Sequence, residues 1–187
     1  MNFKTDLSEL IKNAIAGHGA SQEQLILETQ KPLYTFCLHL TKNKQIAEDL
    51  VNDTYLKALT SLKDLKDASL FLPWLKKIAR NLHLDFVKSA PQKNQVLVED
   101  YEFLDLTQGQ EISTSQIDTF KLLSSMDEDD RMILVLVDIQ DYSYSETAQI
   151  LEIAEGTVKS RLSRARDKFA DLYLQKKDGT KNSSRSS

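Results

Sequence analysis

The 187-residue chain sets 24 Lys and Arg against 28 Asp and Glu, a formal net charge of −4, and 41% of its residues are apolar. That apolar share is enough for one ordinary core or two small ones and excludes a disordered chain. The strongest apolar run, residues 132–137, falls far short of the roughly 20 residues that cross a bilayer, and no basic-then-apolar leader opens the sequence, so a soluble, cytoplasmic protein without membrane insertion is expected.

Taken in chain order, Leu7, Leu10, Ile11, Ala14 and Ile15 repeat at helical spacing, and Leu33, Phe36 and Leu40 mark a second helix. The single cysteine, Cys37, lies in that second segment; it excludes an internal disulfide, fits a reducing compartment and reads as a small buried apolar residue. After an Asn43 cap, Ala47, Leu50, Val51, Tyr55, Ala58 and Leu62 form a third amphipathic helix. Residues 61–72 are poorly periodic, and Pro73 suits the first position of a fourth helix over 73–88. Residues 91–115 lose periodicity and gather Pro, Gly, Gln, Ser and Thr, a linker's composition. Helical pattern resumes near Ile117 and again over 131–139, where the β-branched run 132–137 reads as helix because no partner strands occur elsewhere. The expected fold is all-α: two small helical domains, a four-helix domain at 1–90 and a helix-turn-helix domain at 116–177, joined by a flexible acidic linker at 91–115 and followed by a disordered tail at 178–187.

The net negative charge argues against nucleic acid only until it is divided along the chain. Residues 73–94 set Lys76, Lys77, Arg80, Lys88 and Lys93 against Asp85, and residues 155–177 set seven cations against three carboxylates, so each island is +4. Between them, residues 95–130 hold ten acids and one base, Lys121, for −9. An acidic bridge tethered to two basic islands either masks them in the free protein or serves as a passive, solvated tether.

Ser143 and Glu146 form a capping box that starts a helix running to about Leu151. A break over 152–155 leads into a longer helix ending near Leu174, the proportions of a helix-turn-helix. At 100° per residue, Val158, Leu162, Ala165, Phe169 and Leu172 share one apolar stripe, with Lys159, Ser160, Ser163 and Arg164 opposite and Gly156 permitting close approach at the amino-terminal end. Arg and Lys at that end suit guanine edges or phosphate, although cations on a helix surface also serve simply as solvated charge. On the fourth helix, the same arithmetic assigns Trp74, Leu75, Ile78, Ala79, Leu82 and Phe86 to the core and leaves Lys77, Arg80, Asn81, Leu84 and Lys88 outside. Apolar groups beside a basic helix can hold unstacked bases, while Trp74 and Phe71 are equally well read as core. The alternation Glu48-Asp49-Leu50-Val51-Asn52-Asp53 is either a solvated face or a protein-docking surface.

These segments together resemble the extracytoplasmic-function (ECF) subgroup of bacterial sigma-70-type sigma factors over most of the chain. Residues 47–55, Ala-Glu-Asp-Leu-Val-Asn-Asp-Thr-Tyr, resemble that family's clamp-binding helix; Trp74-Leu75-Lys76-Lys77-Ile78-Ala79-Arg80-Asn81 resembles its minus-ten recognition helix; Ser143-Tyr144-Ser145-Glu146 with Gly156-Thr157-Val158-Lys159-Ser160-Arg161 resembles its minus-thirty-five reader. The resemblance implies sigma region 2 over 1–90 and sigma region 4 over 116–177. It implies core RNA polymerase, promoter DNA and, as a further partner class, an anti-sigma factor. Asp49, Asn52 and Asp53 would contact polymerase; Leu65, Trp74, Lys77, Arg80, Asn81 and Lys88 would engage the minus-ten strand; Gly156, Thr157, Lys159, Ser160, Arg161, Ser163 and Arg164 would meet the minus-thirty-five element. The chain departs from the family pattern at Asn52, where Gln is usual, at Leu65, where an aromatic is common, and at Lys88, where Arg is common.

No Gly-rich phosphate loop and no metal-ligand spacing among His18, His39, His83 and Cys37 is present, so no catalytic set, cofactor or metal is expected and the chain is read as a non-enzyme. The competing reading is a stand-alone helix-turn-helix regulator with a sensory amino-terminal bundle. A metal-dependent hydrolase of the bundle type lacks the Glu-x-x-His pairs that facing helices would supply.

Overall fold

The computed structural model describes residues 6–89 and 114–183. These fold as helices α1 (Leu7–Ile15), α2 (Gly19–Thr41), α3 (Lys44–Ser61), α4 (Phe71–Ser89), α5 (Thr114–Ser124), α6 (Glu128–Leu134), α7 (Tyr144–Leu151) and α8 (Glu155–Ser183), with no strand among them. The run 132–137 is helical, as read from the sequence: α6 passes into a π turn over Val135–Ile139, in which the Gln140 amide donates to the Val135 carbonyl at 3.0 Å. The chain divides into two compact units, Met1–Glu99 with Gln149–Glu152, and Asp100–Ala148 with Ile153–Ser187. Most of the linker expected over 91–115 lies outside the described residues, although α5 already begins at Thr114. The tail expected to be disordered from 178 is helical through Ser183, and residues 184–187 lie outside the described residues.

In the first unit α2 packs against α1, α3 and α4. α1 starts at Asp6, whose carboxylate accepts from the Ser8 amide at 2.9 Å, and buries Leu10, Ile11 and Ala14. α2 is much longer than its recognisable stripe: it starts at Gly19 and carries Pro32 within it, while Leu25, Thr29, Leu33, Phe36 and Leu40 keep one face in the core. Buried Cys37 lies there too, and burial pushes its thiol up to about 12, so it stays neutral and packs as a small apolar group. The Asn43 side chain accepts from the Ile46 amide at 3.0 Å, the cap expected at the start of α3.

Two short turns, Leu62–Asp64 and Ala68–Leu70, lead from α3 to α4. The Asp67 carboxylate accepts from both the amide and the hydroxyl of Ser69, at 2.9 and 2.7 Å, and those bonds hold it below the usual carboxylate range. α4 then begins at Phe71, two residues before the expected start, with Pro73 in its first turn, where no amide donor is required.

In the second unit α8 packs on α5 and α6. Phe120, Leu123, Met132, Ile133, Leu136, Val158, Leu162 and Ala165 are buried there. Arg131 is also buried, with its Nη1 donating to the Met126 carbonyl at 2.8 Å across the turn between α5 and α6.

One buried polar contact fixes α3 against α2. The Tyr55 and Thr29 hydroxyls lie 2.9 Å apart, and Thr29 also donates to the Leu25 carbonyl at 2.6 Å. Replacing Tyr55 by Phe removes the bond while keeping the ring, and urea denaturation should register a loss of about 0.5–1.5 kcal/mol. A neutral substitution would mean that the hydroxyl pair adds nothing beyond the packing of the ring.

Candidate functional site

Three surfaces gather the residues singled out in the sequence. On α3, Ala47, Leu50, Val51, Thr54, Tyr55 and Ala58 face inward, leaving Asp49, Asn52 and Asp53 exposed together one helical turn apart. The Gln45 amide donates to Asp49 at 3.4 Å, and Lys57 lies exposed one turn beyond Asp53. The same face carries Leu56, 67% exposed, which sequence reasoning missed. Its signal was an apolar residue three positions after Asp53 and off the core stripe.

On α4 the buried residues are Leu72, Leu75, Lys76, Ala79 and His83 beside Phe71 and Pro73. The expected core of Trp74, Leu75, Ile78, Ala79, Leu82 and Phe86 is therefore corrected: the buried stripe is rotated by about 80° on the 100°-per-residue wheel. Phe86 is exposed, and Trp74, Ile78 and Leu82 are only half-buried. The reason is Lys76. Its ammonium lies 5.8 Å from the centre of the Phe36 ring, so a residue counted among the surface cations is fully buried. Hydrophobicity alone places Lys outside, and the wheel turned accordingly.

Rotation of α4 leaves Lys77, Arg80 and Asn81 half-buried beside Trp74, whose ring is 6.2 Å from that of Phe71 and tilted 33° to it. Lys88 is exposed at the end of α4 and Leu65 is half-buried between the two short turns. Phe86 and Val87, each 54% exposed, are further uncovered apolar residues near the end of α4.

α7 begins with the expected capping box: the Glu146 carboxylate accepts from the Ser143 amide at 2.9 Å, and the Ser143 hydroxyl accepts from the Glu146 amide at 3.2 Å. The turn to α8 passes through Glu152 in the left-handed region, φ 53°, and closes with the Ile153 amide donating to the Ala148 carbonyl at 3.1 Å. On α8, Val158, Leu162 and Ala165 are buried and Phe169 and Leu172 half-buried, as the stripe requires. Gly156, Lys159, Ser160, Ser163 and Arg164 are exposed opposite them, and Thr157 is half-buried at the edge. Lys159 pairs with Glu155 at 3.4 Å and lies 5.7 Å from the centre of the Tyr144 ring, while Arg164 donates to the Ser160 carbonyl at 3.3 Å.

The acids flanking the stripe change the reading of the charge. Arg161 pairs with Asp129 at 2.5 Å, Lys168 with Asp127 and Asp130, Arg166 with Asp138 through two bonds, and Lys176 with Asp118. Half of the ten acids assigned to a bridge over 95–130 thus stand on or beside α5 and α6, and four of these five pair with cations of α8. Glu99, Asp100, Glu102, Asp105 and Glu111 lie outside the described residues.

No group of three or more His, Cys, Asp or Glu side chains is arranged to hold a metal among the described residues, and no described helix is long and apolar enough to cross a membrane.

With a helix-turn-helix formed by α7 and α8 and a helical bundle with an exposed acidic face over α1–α4, the arrangement is that of a modular DNA-binding protein. Residues 25–91 match the Sigma-70 region 2 family and residues 120–169 match Sigma-70, region 4. The chain is 32% identical over 146 residues to the ECF RNA polymerase sigma factor SigM of Bacillus subtilis, covering 75% of this chain and 88% of the relative. It is 32% identical to the ECF RNA polymerase sigma factor EcfG of Rhodopseudomonas palustris, covering 79% of this chain and 82% of that one. The sigma factor RpoE of Bartonella quintana, solved in complex with the anti-sigma factor NepR, superposes with a TM-score of 0.65 at 28% identity, over 81% of this chain and 96% of that chain. The chain belongs to the ECF RNA polymerase sigma factor family. It is a promoter-directing transcription initiation factor, and the match of residues 25–91 to region 2 disfavours a sensory bundle attached to a stand-alone regulator.

Gly156 stands in the first turn of α8 without a positive φ, and a Cβ built there would meet no other part of the described chain within 4 Å. Nothing internal requires a glycine. Gly156→Ala should therefore raise stability, by about 0.5 kcal/mol in urea denaturation, since glycine disfavours helix relative to alanine. A destabilised variant would show that the protein's own packing demands the glycine.

Proposed function

We propose that Asp49, Asn52 and Asp53 on α3 dock the chain on core RNA polymerase, that the α4 surface holds the opened minus-ten strand, and that α8 reads the minus-thirty-five element. Residues 1–90 then act as the docking and melting domain and residues 116–177 as the upstream reader, with 91–115 as the tether. The observation that carries this reading is the segregation of faces: on α3 and α8 the residues expected to meet a partner lie opposite the residues that build the core, except Thr157 and Arg161, which stand half-buried at the edge of the α8 stripe.

The chemistry of each face suits its partner. Two carboxylates and an amide around exposed Leu56 offer a basic protein surface both charge complement and an apolar centre. Trp74 beside Lys77, Arg80 and Asn81 offers a ring and an amide for an unstacked base with cations for its phosphates; Leu65 and Lys88 extend that surface at either end. Lys159, Ser160, Ser163 and Arg164 present donors to a groove floor, and Gly156 and Thr157 let the start of α8 approach it closely. The chain supplies binding that offsets a few kcal/mol per unstacked base step, and polymerase forms the phosphodiester bonds. An anti-sigma factor is a third partner class, supported by the NepR complex of the Bartonella relative. A protein acting on polymerase at promoters works in the cytoplasm.

Two double variants separate the faces. Asp49→Lys with Asp53→Lys should abolish recovery of core enzyme in a pull-down while leaving the helical circular-dichroism signal intact, because both side chains are exposed. Lys159→Ala with Arg164→Ala should leave core binding unchanged and weaken upstream-element binding by about 1–3 kcal/mol for each side chain that reads a base edge. Undiminished core recovery in the first case, or unimpaired transcription from the factor's own promoters in the second, would remove the corresponding assignment.

A further inference from the structure

On α8, taken as the upstream DNA helix, ion pairs decide which cations a phosphate can reach. Around the α8 axis, with Gly156 set at 60°, Ser160 falls near 100°, Arg164 near 140° and Arg161 near 200°. Arg161 is thus only about 60° from Arg164, and its long side chain has the reach to join the same phosphate-facing edge. Its Nη1 instead donates to Asp129 Oδ2 at 2.5 Å, and Asp129 stands 65% exposed at the start of α6. A phosphate approaching this edge of α8 meets a carboxylate already holding the guanidinium.

We infer that Asp129 withholds Arg161 from duplex phosphates, so that α8 binds DNA through Lys159, Ser160, Ser163 and Arg164 with a lower sequence-independent affinity. The inference rests on the reading of α8 as a DNA helix and adds a limit to it. Phosphate contacts carry affinity without sequence information, so a cation neutralised within the protein lowers binding to every sequence equally and leaves discrimination to the base-edge donors. Asp129 acts by occupying Arg161, which a phosphate can reach only by breaking that ion pair. Both residues are solvent-accessible, so the barrier is small and adjustable.

The test uses the full chain and a 30-base-pair duplex of mixed sequence, titrated across a range of salt concentrations. Asp129→Asn should tighten binding at low salt by up to about fivefold, equivalent to the ~1 kcal/mol upper value of an exposed ion pair. The dependence of log affinity on log salt should steepen by about 0.9, the value of one additional phosphate contact. Arg161→Ala should do little alone but should erase both changes in the Asp129→Asn background. Asp127→Asn removes the same charge from the same turn but faces Lys168, so any gain it brings should survive Arg161→Ala. No tightening by Asp129→Asn, or a tightening that persists without Arg161, overturns the inference. Failure of the α8 reading has its own signature: Lys159→Ala with Arg164→Ala would leave the binding of the Asp129→Asn chain untouched.

Discussion

The rotation of each functional helix about its own axis decides what a partner can reach, and in this chain that rotation is set by polar contacts as much as by apolar stripes. The Tyr55 and Thr29 hydroxyls, 2.9 Å apart within the core, turn α3 so that Asp49, Asn52 and Asp53 point outward. The Lys76 ammonium over the Phe36 ring turns α4 so that Trp74 is partly uncovered. Ion pairs from Arg161 and Lys168 on one side and Arg166 on the other flank the apolar stripe of α8 against α6 and its π turn. A burial pattern alone would leave each of these helices some freedom to roll; a directional bond removes it.

How much of this was legible depended on whether the polar residue in question advertised itself. The Asn43 cap, the Ser143–Glu146 box and the α8 stripe were read correctly because short-range hydrogen bonding and a 3.6-residue period are local properties of a sequence. The α4 face was misread because Lys76 is buried against a ring forty positions away, and no local pattern encodes that contact. Leu56 escaped notice for the opposite reason: an apolar residue on a polar face was absorbed into the general pattern of the helix. α2 extends well before Leu33, the first residue of its legible stripe, and carries Pro32 inside it.

Charge taught a similar lesson. Summed along the chain, residues 95–130 read as one acidic bridge, yet Asp118, Asp127, Asp129 and Asp130 are components of the second unit, where each pairs with a cation of α8. The basic island of α8 is consequently smaller at its surface than its sequence count, and the cations left facing outward are concentrated in the first turns of the helix. Asp167 and Asp171, exposed further along, give the later turns an unfavourable charge for DNA, so the chemistry confines the reading edge to the amino-terminal part of α8.

This chain carries promoter specificity to an RNA polymerase that lacks it. Transcription in vitro, with core polymerase and a fragmented genomic library as template, tests it most directly. Adding the chain should produce discrete start sites that share one upstream and one downstream element at fixed spacing, and core enzyme alone should produce none of them. Transcripts whose starts are the same with and without the chain would contradict it.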